Sequence, residues 1–238
     1  MSFDTLFTLI ILLLLAVAFP LMGVQDYRLL MRRTHEGDAD ARVKFYKAYL
    51  MWLWPLTIGL VAWWLLSGNG LESLGLIPVA DGRQWVVIGV GVFAMLAQVI
   101  YLEMMSRNAD ALTQIKKQMG ALSNLAPQTR AENHLFGMVA ITAGVCEEIL
   151  YRGLLFATLV PLVGTWPAVA ISSLIFGLGH AYQGISGIAK TGLVGLILAL
   201  LTVFSGSLFT AIVLHAAVDL ASGRIMGKAQ RLTTPQTA

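Results

Sequence analysis

Charge is scarce in this sequence. Acidic and basic side chains make up 12% of its 238 residues, about half of the roughly 25% found in soluble domains. That shortage excludes an ordinary soluble globule. The net charge is only +3, and its basic residues gather in a few loops, so a nucleic-acid-binding surface is excluded as well. A single cysteine, Cys146, excludes an internal disulfide and a cysteine-based zinc cluster. No internal repeat or low-complexity segment is visible.

What the chain has in excess is apolar surface, with 57% of its residues hydrophobic. Apolar runs of spanning length lie near residues 5–24, 46–67, 85–105, 135–160, 166–182, 188–204 and 207–222. In a bilayer each must satisfy its own backbone, which makes each a helix. The expected fold class is all-α: a polytopic transmembrane helical bundle of seven to eight spans. The uncertainty in number comes from the long run 135–160, which Gly153 and Pro161 would divide. Pro55 would kink the second span. The first run has no basic segment before it and continues past its small residues "AVA", so it reads as a retained span rather than a cleaved signal.

Basic residues set the orientation. Arg28, Arg32, Arg33, Arg42, Lys44 and Lys47 follow the first span; Arg107, Lys116, Lys117 and Arg130 follow the third; Arg224, Lys228 and Arg231 follow the last. The loop after the second span holds only Arg83. This pattern puts the N-terminus outside and the C-terminus in the cytoplasm, with a bacterial inner membrane as the expected location. Three parts follow: an N-terminal set of three spans over 1–133, a transmembrane core over 134–224 that holds the chemistry, and a disordered cytoplasmic tail over 225–238.

The core is set apart by its ionisable groups. Glu147, Glu148 and Arg152 stand in "CEEILYRG", His180 in "FGLGH", and His215 and Asp219 in "HAAVD". Each charge at the bilayer centre costs about 2.5–3.5 kcal/mol, so Glu147, Glu148, Arg152 and Asp219 facing lipid would cost on the order of 10 kcal/mol. They must pair with one another or line a wet cavity. Residues four apart share a helix face, so Glu148 reaches Arg152 and His215 reaches Asp219. Phe176, one turn before His180, would wall the pocket. Glu147 and Glu148 point about 100° apart, which leaves Glu147 to face the cavity.

Such a set suits hydrolysis by a general base. A carboxylate takes a proton from water, a histidine shares that water, and a second polar pair holds the oxyanion. Glu147, His180 and His215 are also a ligand set able to bind zinc, although HExxH is absent; no cofactor is the favoured reading. Each element alone has a plainer reading as interhelical glue. Gly177 and Gly179 read as close-packing positions, Cys146 as a small packing residue, and His35 and His134 as uninvolved.

"EEILYR", "FGLGH" and "HAAVD" resemble, in order and on successive spans, the motifs EExxxR, FxxxH and HxxxN/D of the CAAX-processing and bacteriocin-processing (Abi) intramembrane proteases. The resemblance covers about residues 135–222. It implies an endopeptidase acting on a membrane-embedded or lipid-associated peptide or protein. By that likeness Glu147 and His180 would activate water, Glu148 and Arg152 would hold Glu147 in place, and His215 and Asp219 would stabilise the oxyanion. The prenyl-protein proteases of the family carry Asn where this chain has Asp219, so Asp219 would have to be protonated, orient His215 or help bind a metal. Two other classes compete: a proton-coupled transporter, disfavoured by the missing inverted repeat, and a non-catalytic immunity or scaffold protein.

Overall fold

The computed structural model describes residues 3–76 and 81–231. Among these there is no strand. A first helix runs as α1 (Phe3–Leu13), a π-helical turn (Leu14–Ala18) and α2 (Phe19–His35) without a break. Then come α3 (Ala41–Leu66), a 3-10 turn (Leu71–Leu74), α4 (Gly82–Met105), α5 (Ala109–Gln118) and α6 (Leu122–Leu125). A second compound helix joins α7 (Arg130–Glu148), a π-helical turn (Ile149–Leu154) and α8 (Leu155–Val163). α9 (Thr165–Gly179), a 3-10 turn (Ala181–Gln183), α10 (Gly184–Ser205) and α11 (Leu208–Arg231) complete the chain.

Five helical stretches are long and apolar enough to cross a membrane: Leu6–His35, Ala41–Leu66, Gln84–Met105, Ala181–Ser205 and Leu208–Arg231. The helix from Arg130 to Val163 has the length too, but carries Glu147, Glu148 and Arg152 inside its apolar stretch. α9 has only 15 residues, about 22 Å against a hydrocarbon core of about 30 Å.

Several boundaries differ from those read in the sequence. The first helix continues to His35, so Arg28, Arg32 and Arg33 sit on a helix and not in a loop. Gly153 and Pro161 do not divide the run 135–160. Gly153 sits inside the π turn, in van der Waals contact range of Leu208 and Leu74. Pro161 falls in the last turn of α8, close to where that helix ends anyway. α11 runs to Arg231, beyond the expected start of the tail at 225, because Ile225, Met226 and Ala229 are buried against Leu112 and Met119. The rest of the tail, 232–238, lies outside the described residues.

Local sequence explains how α7 is launched. In "TRAE", Thr129 Oγ1 accepts from the Glu132 amide at 3.1 Å, and Glu132 Oε2 accepts from the Thr129 amide at 3.1 Å. This is a capping box. The other Glu132 oxygen takes Arg42 Nε of α3 at 3.0 Å. From that anchor α3 runs alongside α7. Its buried seam, Tyr46, Leu53, Thr57, Leu60 and Trp64, recurs at intervals of three, four and seven residues, the spacing of one helix face. Tyr46 meets Phe136 edge-on, and Trp54 Nε1 donates to Thr142 Oγ1 at 3.0 Å. The main core gathers Phe7, Ile11, Leu53, Leu150, Leu154 and Phe176 from four of these helices.

Small residues let the inner helices approach. A Cβ added to Gly144 of α7 would lie 2.7 Å from Ala216 Cβ and 2.8 Å from the Ala216 amide nitrogen of α11. One added to Gly177 of α9 would lie 2.7 Å from the Ile188 carbonyl oxygen of α10. Without a hydrophobic drive between lipid-bathed helices, such contact supplies much of the association. Gly144→Ala is therefore expected to destabilise the bundle by about 1–3 kcal/mol through overpacking. Gly59→Ala, on α3 with open space around it, is expected to be neutral. Thermal unfolding of the two purified variants in detergent checks the contrast.

Candidate active site

α7, α9 and α11 bring the charged motifs together. Glu148 is the hub. Its Oε1 accepts from Arg152 Nη1 at 2.9 Å and from His215 Nδ1 at 2.8 Å, with all three residues buried. Arg152 is held by two further contacts. Nη2 donates to the Gly195 carbonyl of α10 at 2.7 Å, and the guanidinium lies over the Phe176 ring of α9, 4.3 Å from its centre. A Cβ at Gly195 would come within 3.0 Å of Nη2, so only glycine leaves room for that contact. The π turn that carries Arg152 is the kind of helix defect often found at functional sites.

Glu147 points the other way, as its 100° offset requires. Its Oε1 accepts from the Tyr49 hydroxyl of α3 at 2.8 Å. Its Oε2 is buried without a hydrogen-bond partner and lies 4.0 Å from His215 Nε2. His215 Nε2 is also 3.5 Å from Asp219 Oδ2. Because a carboxylate accepts, His215 Nδ1 carries the proton it shares with Glu148, and Nε2 is left to face Glu147 and Asp219.

His180 reaches the cluster through an aromatic wall. Its Nδ1 lies 3.0 Å from the Phe176 carbonyl oxygen. A carbonyl only accepts, so Nδ1 is the protonated nitrogen and Nε2 is the basic one. Phe176 touches both imidazoles, with ring centres 5.0 Å from His180 and 5.8 Å from His215. Among the described residues His180 forms no ion pair with a carboxylate. Among the described residues no group of three or more His, Cys, Asp or Glu that could hold a metal ion is found.

The Glu148–Arg152 pair, the His215–Asp219 proximity and the separate direction of Glu147 agree with the helical spacing read in the sequence. Cys146 is buried in the core. The Glu148–His215 bond, the Gly195 carbonyl and Tyr49 were not foreseen. Tyr49 lies three residues after Tyr46 on the α3 seam, and that spacing was the one available signal.

Residues 131–221 match a family model described as type II CAAX prenyl endopeptidase Rce1-like. All six charged or imidazole residues fall within that segment, and the likeness read from the three motifs is borne out over it. No curated protein and no solved structure matches the chain. With its long apolar helices, the chain is an integral membrane protein.

Removing one partner from a buried ion pair strands the other, at a cost of about 3–5 kcal/mol. Arg152→Met is expected to destabilise the bundle by about that much, and combining it with Glu148→Leu is expected to recover part of the loss. Denaturant unfolding of the single and double variants measures both.

Proposed function

We propose that the chain is an intramembrane endopeptidase that hydrolyses a peptide bond of a membrane-associated peptide or protein by glutamate-activated water. The observation that carries this reading is Glu147 Oε2: a buried carboxylate oxygen without a hydrogen-bond partner, 4.0 Å from Nε2 of the His215 imidazole. The family match supports the reaction class.

Glu147 takes a proton from water as the water oxygen bonds to the scissile carbonyl carbon. His180, with Nδ1–H given to Phe176, presents Nε2 to the same water. The carbonyl oxygen becomes an oxyanion. His215, in the state with both nitrogens protonated, offers Nε2–H to it while Nδ1–H stays with Glu148. Asp219 orients that ring and balances its charge, a role an aspartate fills as an ionised group. The proton on Glu147 then passes to the departing amide nitrogen, the C–N bond breaks, and the products are a carboxylic acid and an amine. Glu148 and Arg152 act through position alone.

The orientation belongs to the same proposal. Seven crossings, with α9 and α10 forming a short hairpin, put the N-terminus outside and the basic helix ends and the C-terminus in the cytoplasm of a bacterial inner membrane. α9, the short crossing among the seven, has 15 residues and falls short of the hydrocarbon core, so His180 at its end sits within the membrane thickness, where substrate and water must both arrive.

The test uses the purified chain in liposomes with an internally quenched peptide that ends in a farnesylated CAAX sequence, the class named by the matching family. Wild-type chain is expected to cleave it. Glu147→Ala and His180→Ala are expected to lower cleavage by at least about a hundredfold, as loss of a general base does, with thermal midpoints retained. A chelator and Cys146→Ser are expected to leave the rate unchanged. Proton or solute flux without cleavage would instead support the transporter, and unfolding of both variants the scaffold.

A further inference from the structure

The base of a hydrolytic centre needs a direction as well as a charge. The terminal torsion of a glutamate is broad and roughly two-fold, so an untethered carboxylate swaps its two oxygens freely. In Glu147 they are not equivalent. Oε1 accepts from the Tyr49 hydroxyl at 2.8 Å, while Oε2 is buried and unpartnered. The tether comes from α3, outside the matched segment 131–221. Tyr49 is itself set in place, with its ring meeting Trp52 edge-on at 6.0 Å between centres. Along α3 it continues the face on which Arg42 reaches Glu132 and Tyr46 reaches Phe136.

We infer that Tyr49 is a positioning residue for Glu147, its hydroxyl holding Oε1 so that Oε2 is the oxygen that takes the proton from water. The inference rests on the hydrolase reading above. Tyr49 exchanges no proton itself; its O–H stays with the phenol throughout. It also gives the N-terminal spans a part in the reaction, since the matched segment alone leaves Glu147 without a donor.

Tyr49→Phe keeps the ring and removes the hydroxyl. A hydrogen bond to a charged group is the stronger kind, and its loss is expected to lower kcat roughly 10- to 100-fold. KM and the thermal midpoint are expected to stay within about twofold and a few degrees of wild type. Tyr101→Phe, on the exposed face of α4, is the control and is expected to match wild type. The assay is steady-state cleavage of the farnesylated peptide in liposomes, with thermal unfolding alongside. Wild-type kcat in Tyr49→Phe, while the wild-type chain cleaves, overturns the role of Tyr49 alone. A rise in KM with a lowered midpoint and unchanged kcat overturns it as well, leaving only a brace between α3 and α7. A wild-type chain that cleaves nothing overturns the hydrolase reading, and the positioning role with it.

Discussion

The three-way contact of Glu148 with Arg152 and His215 is the constraint around which the bundle is arranged. An ionised group in an apolar interior is tolerated only when paired and hydrogen-bonded. Glu148 joins an i, i+4 partner on its own helix to a partner 67 residues away on α11. Arg152 then recruits a carbonyl from α10 and a ring from α9. One buried carboxylate thus draws four helices to a common point. The glycine contacts at Gly144, Gly177 and Gly195 are the geometric condition for this, because the helices must approach closely enough for short polar reach.

The two adjacent glutamates are divided by helix geometry into different kinds of group. Glu148 turns inward, where its Oε1 meets Arg152 and His215. Glu147, one residue earlier, turns toward α3, where its Oε1 meets Tyr49, and toward His215. In the proposed mechanism the same 100° step that separates them separates a positioning group from the general base. His180 and His215 are divided likewise: each gives its Nδ1 to an oxygen of the scaffold, the Phe176 carbonyl or Glu148, and holds Nε2 in reserve.

Charge in an apolar background is loud, and that made much of this legible from sequence. Glu147, Glu148, Arg152, His180, His215 and Asp219 stand out because insertion of each is costly, and helical spacing then pairs Glu148 with Arg152. Long-range partners were silent. Nothing in the residues around Gly195 marks its carbonyl as the acceptor for Arg152, since every residue has a carbonyl. Tyr49 was hidden for another reason. It stands where the charged start of α3 gives way to its apolar length, and nothing in the local sequence marks it as the partner of a glutamate 98 residues away. The helix ends were misplaced because hydropathy reports where lipid is, whereas α2 and α11 continue as helices on packing alone, to His35 and Arg231.

The brevity of α9 has a bearing on the surrounding lipid. Its 15 residues fall some 8 Å short of an average hydrocarbon slab, a mismatch that a bilayer relieves by dimpling toward the shorter element. In the proposed orientation the leaflet beside the turn at Ala181–Gln183 would be drawn inward, and the headgroup region with its water would come down toward the imidazole of His180. Bilayer thickness would then be a variable of the proposed chemistry: the elastic state of the lipid would help set how wet the centre is.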